Sequence, residues 1–562
     1  MLTAGETRTA PLPPARQPGQ FRAMLPAALA ATVVFLPIIT LAFIALTGTG
    51  ADWPHLARNV LPGSILTTAI LLVLVAAGAS TIGVVSAWLV VGFDFPFRRT
   101  MSWALVLPFA VPPYLAAYAF ADFFHFAGPI QSAIRAIFGF TRPGEYWFPD
   151  IRTTPGAAFV MASVLYPYVY MTTRVVFIMQ GRNIADVART LGASPWRVFR
   201  QILLPVATPA IAVGVALTLM ETLNDIGASE YLGVRTLTFA VYSTWLNRGS
   251  LEGAAQIAMV MMVLVFVFLV AEQRSRGNKR FHATRSTQVS RPPRKLLSGW
   301  RGALALVSVT LPVAAGFGIP VIFFARYAWR RLEFLLDPAL ARAFGHSVLA
   351  ASLTAVATVA IALTIVYAAR RSRSRAGTLL TRLSGLGYAL PGTILALGLL
   401  FVLARIDNVI DAAAREWLGV STGLILSGTV TAVVVACTIR FLALAEGSIR
   451  SGMEKLPPHL DEAARSLGRS PLNSSATVLL PLLWPAIFSA AVLVFVDTIK
   501  ELSATILLRP FGFNTLATYV YENASRGVVE DGALAALVII ATALVPVALL
   551  SRALAGDRDA SL

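Results

Sequence analysis

The chain has 562 residues, 57% of them apolar and only 13% charged, with a strongly positive mean hydropathy, which excludes an ordinary soluble domain and places most of the chain in a bilayer. A net charge of +18 would suit a nucleic-acid binder, but the basic residues sit in short clusters between apolar runs, as positive-inside topology requires. The single cysteine, Cys437, lies in an apolar segment, which excludes an intrachain disulfide and a thiolate metal cluster.

Residues 1–24, rich in Pro, Arg and Thr, read as a flexible cytoplasmic tail. The apolar run from Leu25 to Leu46 is too long for a signal-peptide core and reads as a retained membrane anchor. About 20 apolar residues cross a bilayer. On that rule six spans are expected at 25–47, 64–92, 103–125, 156–179, 206–232 and 253–271. Six more are expected at 302–325, 346–369, 384–404, 418–442, 483–508 and 533–551. Arg22, Arg98, Arg99, Arg189, Arg197 and Arg370 mark one side as cytoplasmic, with both termini on it. Arg326, Arg330 and Arg331, after the seventh span, are misplaced by that count. The basic stretch 272–301 contains Pro292 and Pro293 and reads as a cytoplasmic tether between a first half, 25–271, and a second, 302–562. The expected fold class is therefore an all-α membrane protein of about 12 transmembrane helices in two parallel six-helix halves.

A repeat with a period of about 276 residues supports the two halves. Asp186-Val187-Ala188-Arg189-Thr190-Leu191-Gly192 aligns with Glu462-Ala463-Ala464-Arg465-Ser466-Leu467-Gly468. Ile202-Leu203-Leu204-Pro205 then aligns with Val478-Leu479-Leu480-Pro481, and Glu221, Asp225 and Ser229 align with Asp497, Glu501 and Thr505. After a small shift Pro112 aligns with Pro391. Ile184, Val187, Ala188 and Leu191 fall on one face of a short helix, as do Leu460, Ala463, Ala464 and Leu467. Gly192 and Gly468 suit left-handed helix ends, and Pro205 and Pro481 suit helix starts.

These loops resemble the signature of binding-protein-dependent ABC permeases: Glu-Ala-Ala, three residues, Gly, nine residues, then Ile-x-Leu-Pro. The second copy departs at Val478, and the first at Asp186 and Val187. The resemblance implies a type I importer fold in the bacterial inner membrane, with the two loops as coupling helices on two copies of an ABC ATPase. On it, Asp186, Ala188, Gly192, Pro205, Glu462, Ala463, Ala464, Gly468 and Pro481 are the ATPase-coupling residues. It also implies a periplasmic substrate-binding protein as partner, with membrane lipid around the spans and no nucleic acid. None of the four lysines follows a glycine, so a phosphate-binding loop is not written in this chain. ATP and Mg belong to the partner ATPase, with no cofactor expected on this chain and no enzymatic role.

Glu221, Asp225 and Glu230 in the fifth span, and Asp497, Lys500 and Glu501 in the eleventh, are charges at predicted membrane depth. Two readings are open. They form an acidic pathway for a cationic cargo, or they hold helices together and make gate contacts with arginines. The stretch from Glu221 to Gly233, with Thr238-Phe239-Ala240 and Tyr242-Ser243-Thr244-Trp245, resembles fused bacterial ferric-iron permeases. Permeases for thiamine, 2-aminoethylphosphonate and polyamines are close to that family, and an ion-coupled secondary transporter is the alternative from another class. The five histidines are isolated, and no catalytic residue or metal-ligand spacing stands out.

Overall fold

The computed structural model describes residues 20–179, 193–276, 294–372, 375–457, 460, 466 and 470–556. It is helical almost throughout. Among the described residues nine helices are long and apolar enough to cross a membrane, or ten if a bent pair counts as one span. Two further predicted spans are helices of 26 residues, Thr154–Met179 and Leu251–Arg276, that fall outside that set.

Several expected boundaries are wrong, each for a local reason. The third span is two helical pieces, Arg98–Ala110 and Pro113–Phe123, meeting at 96°. Pro112 and Pro113 cause the break, because adjacent prolines remove backbone donors and force the preceding residues to be extended. Pro391 caps the helix Gly392–Leu418 in the same way, so the ninth span begins later than 384 and runs past 404. The tenth is Val430–Glu454 rather than 418–442. Its apparent start is an apolar loop, in which Gly419 and Gly423 take left-handed conformations that favour glycine.

That loop is organised by two aspartates projecting from the C-terminal half of the preceding helix. Asp407, fully buried, accepts the backbone N–H groups of Ile425, Leu426 and Ser427 at 3.1, 2.8 and 2.8 Å and the Ser427 hydroxyl at 2.6 Å. Asp411 accepts from Ser421, Thr422 and Gly423. Asp407→Asn turns an amide donor toward these donors. The expected loss is about 1–3 kcal/mol, the cost of an unsatisfied buried group, measurable by thermal unfolding in detergent and by faster amide exchange at 425–427.

Four wide π-turns, Leu56–Val60, Phe199–Leu203, Ala314–Gly318 and Ser475–Leu479, each run into a helix with proline at its second residue. These prolines are Pro62, Pro205, Pro320 and Pro481. A proline inside a continuous helix leaves one carbonyl unserved, and a π-turn absorbs that mismatch. Pro205 and Pro481, expected at helix starts, instead both lie inside unbroken helical runs, Pro195–Asn224 and Ala476–Ile499, just after their π-turns.

The halves interlock. Ala27 and Val34 of the first helix, Gln20–Thr47, are buried with second-half residues such as Leu395 and Leu399. In return Phe323 and Phe324 of the helix Ile319–Arg330 are buried with Leu115, Phe120 and Met161 of the first half. Each half thus donates its first span to the other's surface. Glycines permit the closest approaches: a Cβ at Gly398 would lie 2.5 Å from the Pro37 carbonyl oxygen, and one at Gly316 2.0 Å from that of Ser163. The inter-half stretch ends in a two-residue parallel strand, Lys295–Leu296, paired with Phe93–Asp94. Arg331, one of the misplaced arginines, lies 3.5–3.7 Å from Glu333, Glu530 and Asp531, so its charge is answered within its own surface.

Candidate functional site

The fifth and eleventh spans stop short of their expected ends. The helix Leu204–Asn224 ends where Asp225 becomes extended, and Leu480–Ile499 ends at Lys500. In each half the next carboxylate restarts the chain as a short helix. Asp225 accepts the Ala228 N–H at 2.6 Å, and Glu501 accepts the Ala504 and Thr505 N–H groups at 3.0 Å each and the Thr505 hydroxyl at 2.8 Å. The paired breaks bring the two halves together around a central cavity of about 70 Å³. Glu221, Asp225, Asp497 and Glu501 all line it, whereas Glu230 does not.

Its central cation is Arg440, only 5% exposed, which lies inside the tenth span. Arg440 Nη1 donates to Asn224 Oδ1 at 2.8 Å and to Glu501 Oε1 at 3.1 Å, while Nη2 lies 3.9 Å from Glu221 Oε2. Tyr388 donates to Glu221 at 3.0 Å. The Gly392 N–H donates to Asn224 Oδ1 at 2.6 Å, and the Ser503 hydroxyl donates to the Asn224 carbonyl at 2.5 Å. Most of these bonds join Glu221 or Asn224 of the first half to the second. Lys500 pairs with Asp497 at 2.7 Å rather than with Glu501, and its ammonium lies 4.7 Å from the centre of the Phe109 ring.

Every cavity carboxylate thus has an internal partner, and among the described residues no group of three His, Cys, Asp or Glu side chains is placed to hold a metal. The cavity is a polar seam between halves, not a preformed coordination shell. Glu230 accepts instead from the Tyr521 hydroxyl at 2.5 Å. Sequence reasoning missed Arg440, Tyr388 and Tyr521. Arg440 had a usable signal, since an arginine within an apolar span needs a partner as much as a carboxylate does. Of the coupling residues, Pro205 and Pro481 are described; Asp186, Ala188, Gly192, Glu462, Ala463, Ala464 and Gly468 lie outside the described residues.

The profile of the family described as "Binding-protein-dependent transport system inner membrane component" matches twice, over residues 79–273 and 360–556. The chain belongs to this family. The two matches are the two repeats, each containing one of the helix breaks just described. The permease is 26% identical over 492 residues to the "Fe(3+)-transport system permease protein FbpB 2" of Haemophilus influenzae, covering 86% of this chain and 88% of that protein. It is 28% identical to the molybdenum transport system permease protein ModB of Escherichia coli K12, over 34% of this chain and 82% of that protein. It is also 26% identical to a putative 2-aminoethylphosphonate permease, PhnU, of Salmonella paratyphi A, over 43% of this chain and 86% of that protein. The permease is therefore a multi-pass inner-membrane component of an ABC import system served by a substrate-binding protein.

Proposed function

We propose that the permease conducts ferric iron from a periplasmic binding protein into the cytoplasm, driven by a separate ATPase seated on the loops 186–192 and 462–468. The observation that carries the cargo is coverage. The iron permease matches 86% of this chain, through both halves, whereas the molybdenum and 2-aminoethylphosphonate permeases, shorter chains matched over 82% and 86% of their own length, reach 34% and 43% of it. The ATPase loops rest on their repeated Glu-Ala-Ala-type spacing, and the arginine distribution supports a cytoplasmic position for them and for both termini. Two ATPase copies follow from two loops, and ATP with Mg is used there rather than on this chain.

In this reading the seam around Arg440 is the closed pathway. Its charges are mutually satisfied, so iron is handed through when the halves separate instead of being held in the cavity. Glu221, Asp225, Asp497 and Glu501 then line the opened route, and Glu230 stands beside it.

The test is ATP hydrolysis by the reconstituted permease and ATPase with binding proteins loaded with different cargos. Stimulation by a ferric-loaded protein alone is expected. Stimulation by a molybdate- or phosphonate-loaded protein, with none by the ferric one, overturns the cargo.

A further inference from the structure

Beyond the central seam, the two halves meet again at a pair of tyrosines. Tyr242 is on the helix Leu237–Leu246 and Tyr521 on Leu516–Ser525. They are equivalent positions of the repeat, offset by the same 279 residues that relate Pro112 to Pro391. Each helix is seated by the same device. Thr236 and Thr515 cap their starts, while the Leu237 and Leu516 N–H groups donate to the hydroxyls of Thr68 at 2.9 Å and Ser347 at 2.7 Å. This symmetric seating brings the tyrosine hydroxyls to 3.2 Å from each other.

The third member breaks the symmetry. Glu230 accepts from Tyr521 at 2.5 Å, but the 276-residue offset that pairs Ser229 with Thr505 puts the apolar Ile506 at its place in the other half. Among the described residues no lysine or arginine ion-pairs with Glu230. One carboxylate and two phenols therefore converge, Tyr521 buried and Tyr242 and Glu230 half-buried, with Glu230 five residues beyond the cavity carboxylate Asp225.

We propose that Tyr242, Tyr521 and Glu230 form a transit site for a hard trivalent cation at the outer mouth of the pathway. This rests on the ferric-iron reading above and deepens it. Phenolate and carboxylate oxygens are the donors a hard cation selects. An octahedral ion with metal–oxygen distances of about 2.0 Å sets neighbouring oxygens about 2.8 Å apart, and the observed separations of 2.5 and 3.2 Å bracket that edge. The ion takes the place of the two bridging phenolic protons, which leave to water, so the oxidation state is unchanged. Water or an anion carried with the ion fills the remaining positions. A trivalent charge favours this exchange, because phenols give up protons near neutral pH only to a strongly polarising cation.

The experiment adds ferric nitrilotriacetate to the complete transporter in detergent and records the visible phenolate-to-iron charge-transfer band. The wild type should develop a saturable band. Tyr242→Phe with Tyr521→Phe should abolish it, and Glu230→Gln should weaken iron binding by about tenfold or more. Phenylalanine keeps the ring packing, and unfolding temperature reports whether each variant is folded. A band that survives in the double variant, or is absent from the wild type, overturns the site. If ferric uptake occurs without the band, the site fails while the cargo stands. If the ferric-loaded binding protein gives no stimulation or uptake, the cargo reading itself has failed.

Discussion

Arg440→Met is expected to destabilise the permease by about 3–5 kcal/mol, the cost of removing one partner from a buried ionic cluster. The reason lies in what remains. Glu501 is 6% exposed and would keep its Ala504 and Thr505 donors but lose its cation, and Glu221 would keep only Tyr388. Asn224 would also lose one donor while retaining Gly392. A second change separates charge from shape. Arg440→Met with Glu501→Gln removes the buried unpaired carboxylate: the one carbonyl oxygen of glutamine can take the place of Oε2 and accept the Thr505 N–H and hydroxyl, while its amide faces the Ala504 N–H, which donates to Oε1 in the wild type. The pair should recover part of the lost stability, because the unpaired charge is gone while one N–H donor is left without its acceptor. Unfolding temperatures of the two variants in detergent measure this directly. A double variant no more stable than the single would show that Arg440 acts through packing rather than charge.

Gly316→Val should separate the crossed first span of the second half from the first half. Its Cβ would fall 2.0 Å from the Ser163 carbonyl oxygen and 2.8 Å from Pro108 Cβ. Neither neighbour is the free end of a flexible side chain, so backbone must move. Overpacking of a tight contact costs about 1–3 kcal/mol. Gly345→Ala is the matched control, since a Cβ there meets nothing within 4 Å and alanine in a helix is favoured over glycine by up to about 1 kcal/mol. Lower unfolding temperature for Gly316→Val, with none for Gly345→Ala, is the expected result. Equal behaviour of the two would remove close helix approach as the cause.

Much of this architecture was legible in the sequence because it depends on composition and spacing. Apolar length revealed most spans, and the period of the repeat paired Asp225 with Glu501, though not the helix breaks that occur at them. Their form was hidden, since hydropathy treats the run from Leu204 to Leu232 as continuous. The break depends on a carboxylate reaching three residues ahead to an N–H group, as Asp225 does to Ala228. The tenth span was misplaced because Leu424, Ile425 and Leu426 are as apolar as a membrane helix, though they form a loop held by Asp407. Charged residues on the preceding helix carried that information, and a window average discards it.

Long-range pairing was least accessible. Lys500 is adjacent to Glu501 in sequence yet pairs with Asp497, while Glu501 takes Arg440 from another helix. Tyr242 and Tyr521 meet because the interlocked halves place equivalent short helices face to face, and no local pattern announces such a meeting. The exchange of first spans between halves is likewise written in contacts such as Gly398 with Pro37, which no periodicity encodes.

The most direct measurement is ferric-iron uptake into vesicles containing the permease, with ATPase subunit, ATP and ferric-loaded binding protein each supplied or withheld. Uptake should require all three, and Asp186→Lys with Glu462→Lys should abolish it by preventing the ATPase from docking. Uptake that persists without the ATPase, driven instead by an ion gradient, would contradict an ATP-powered importer.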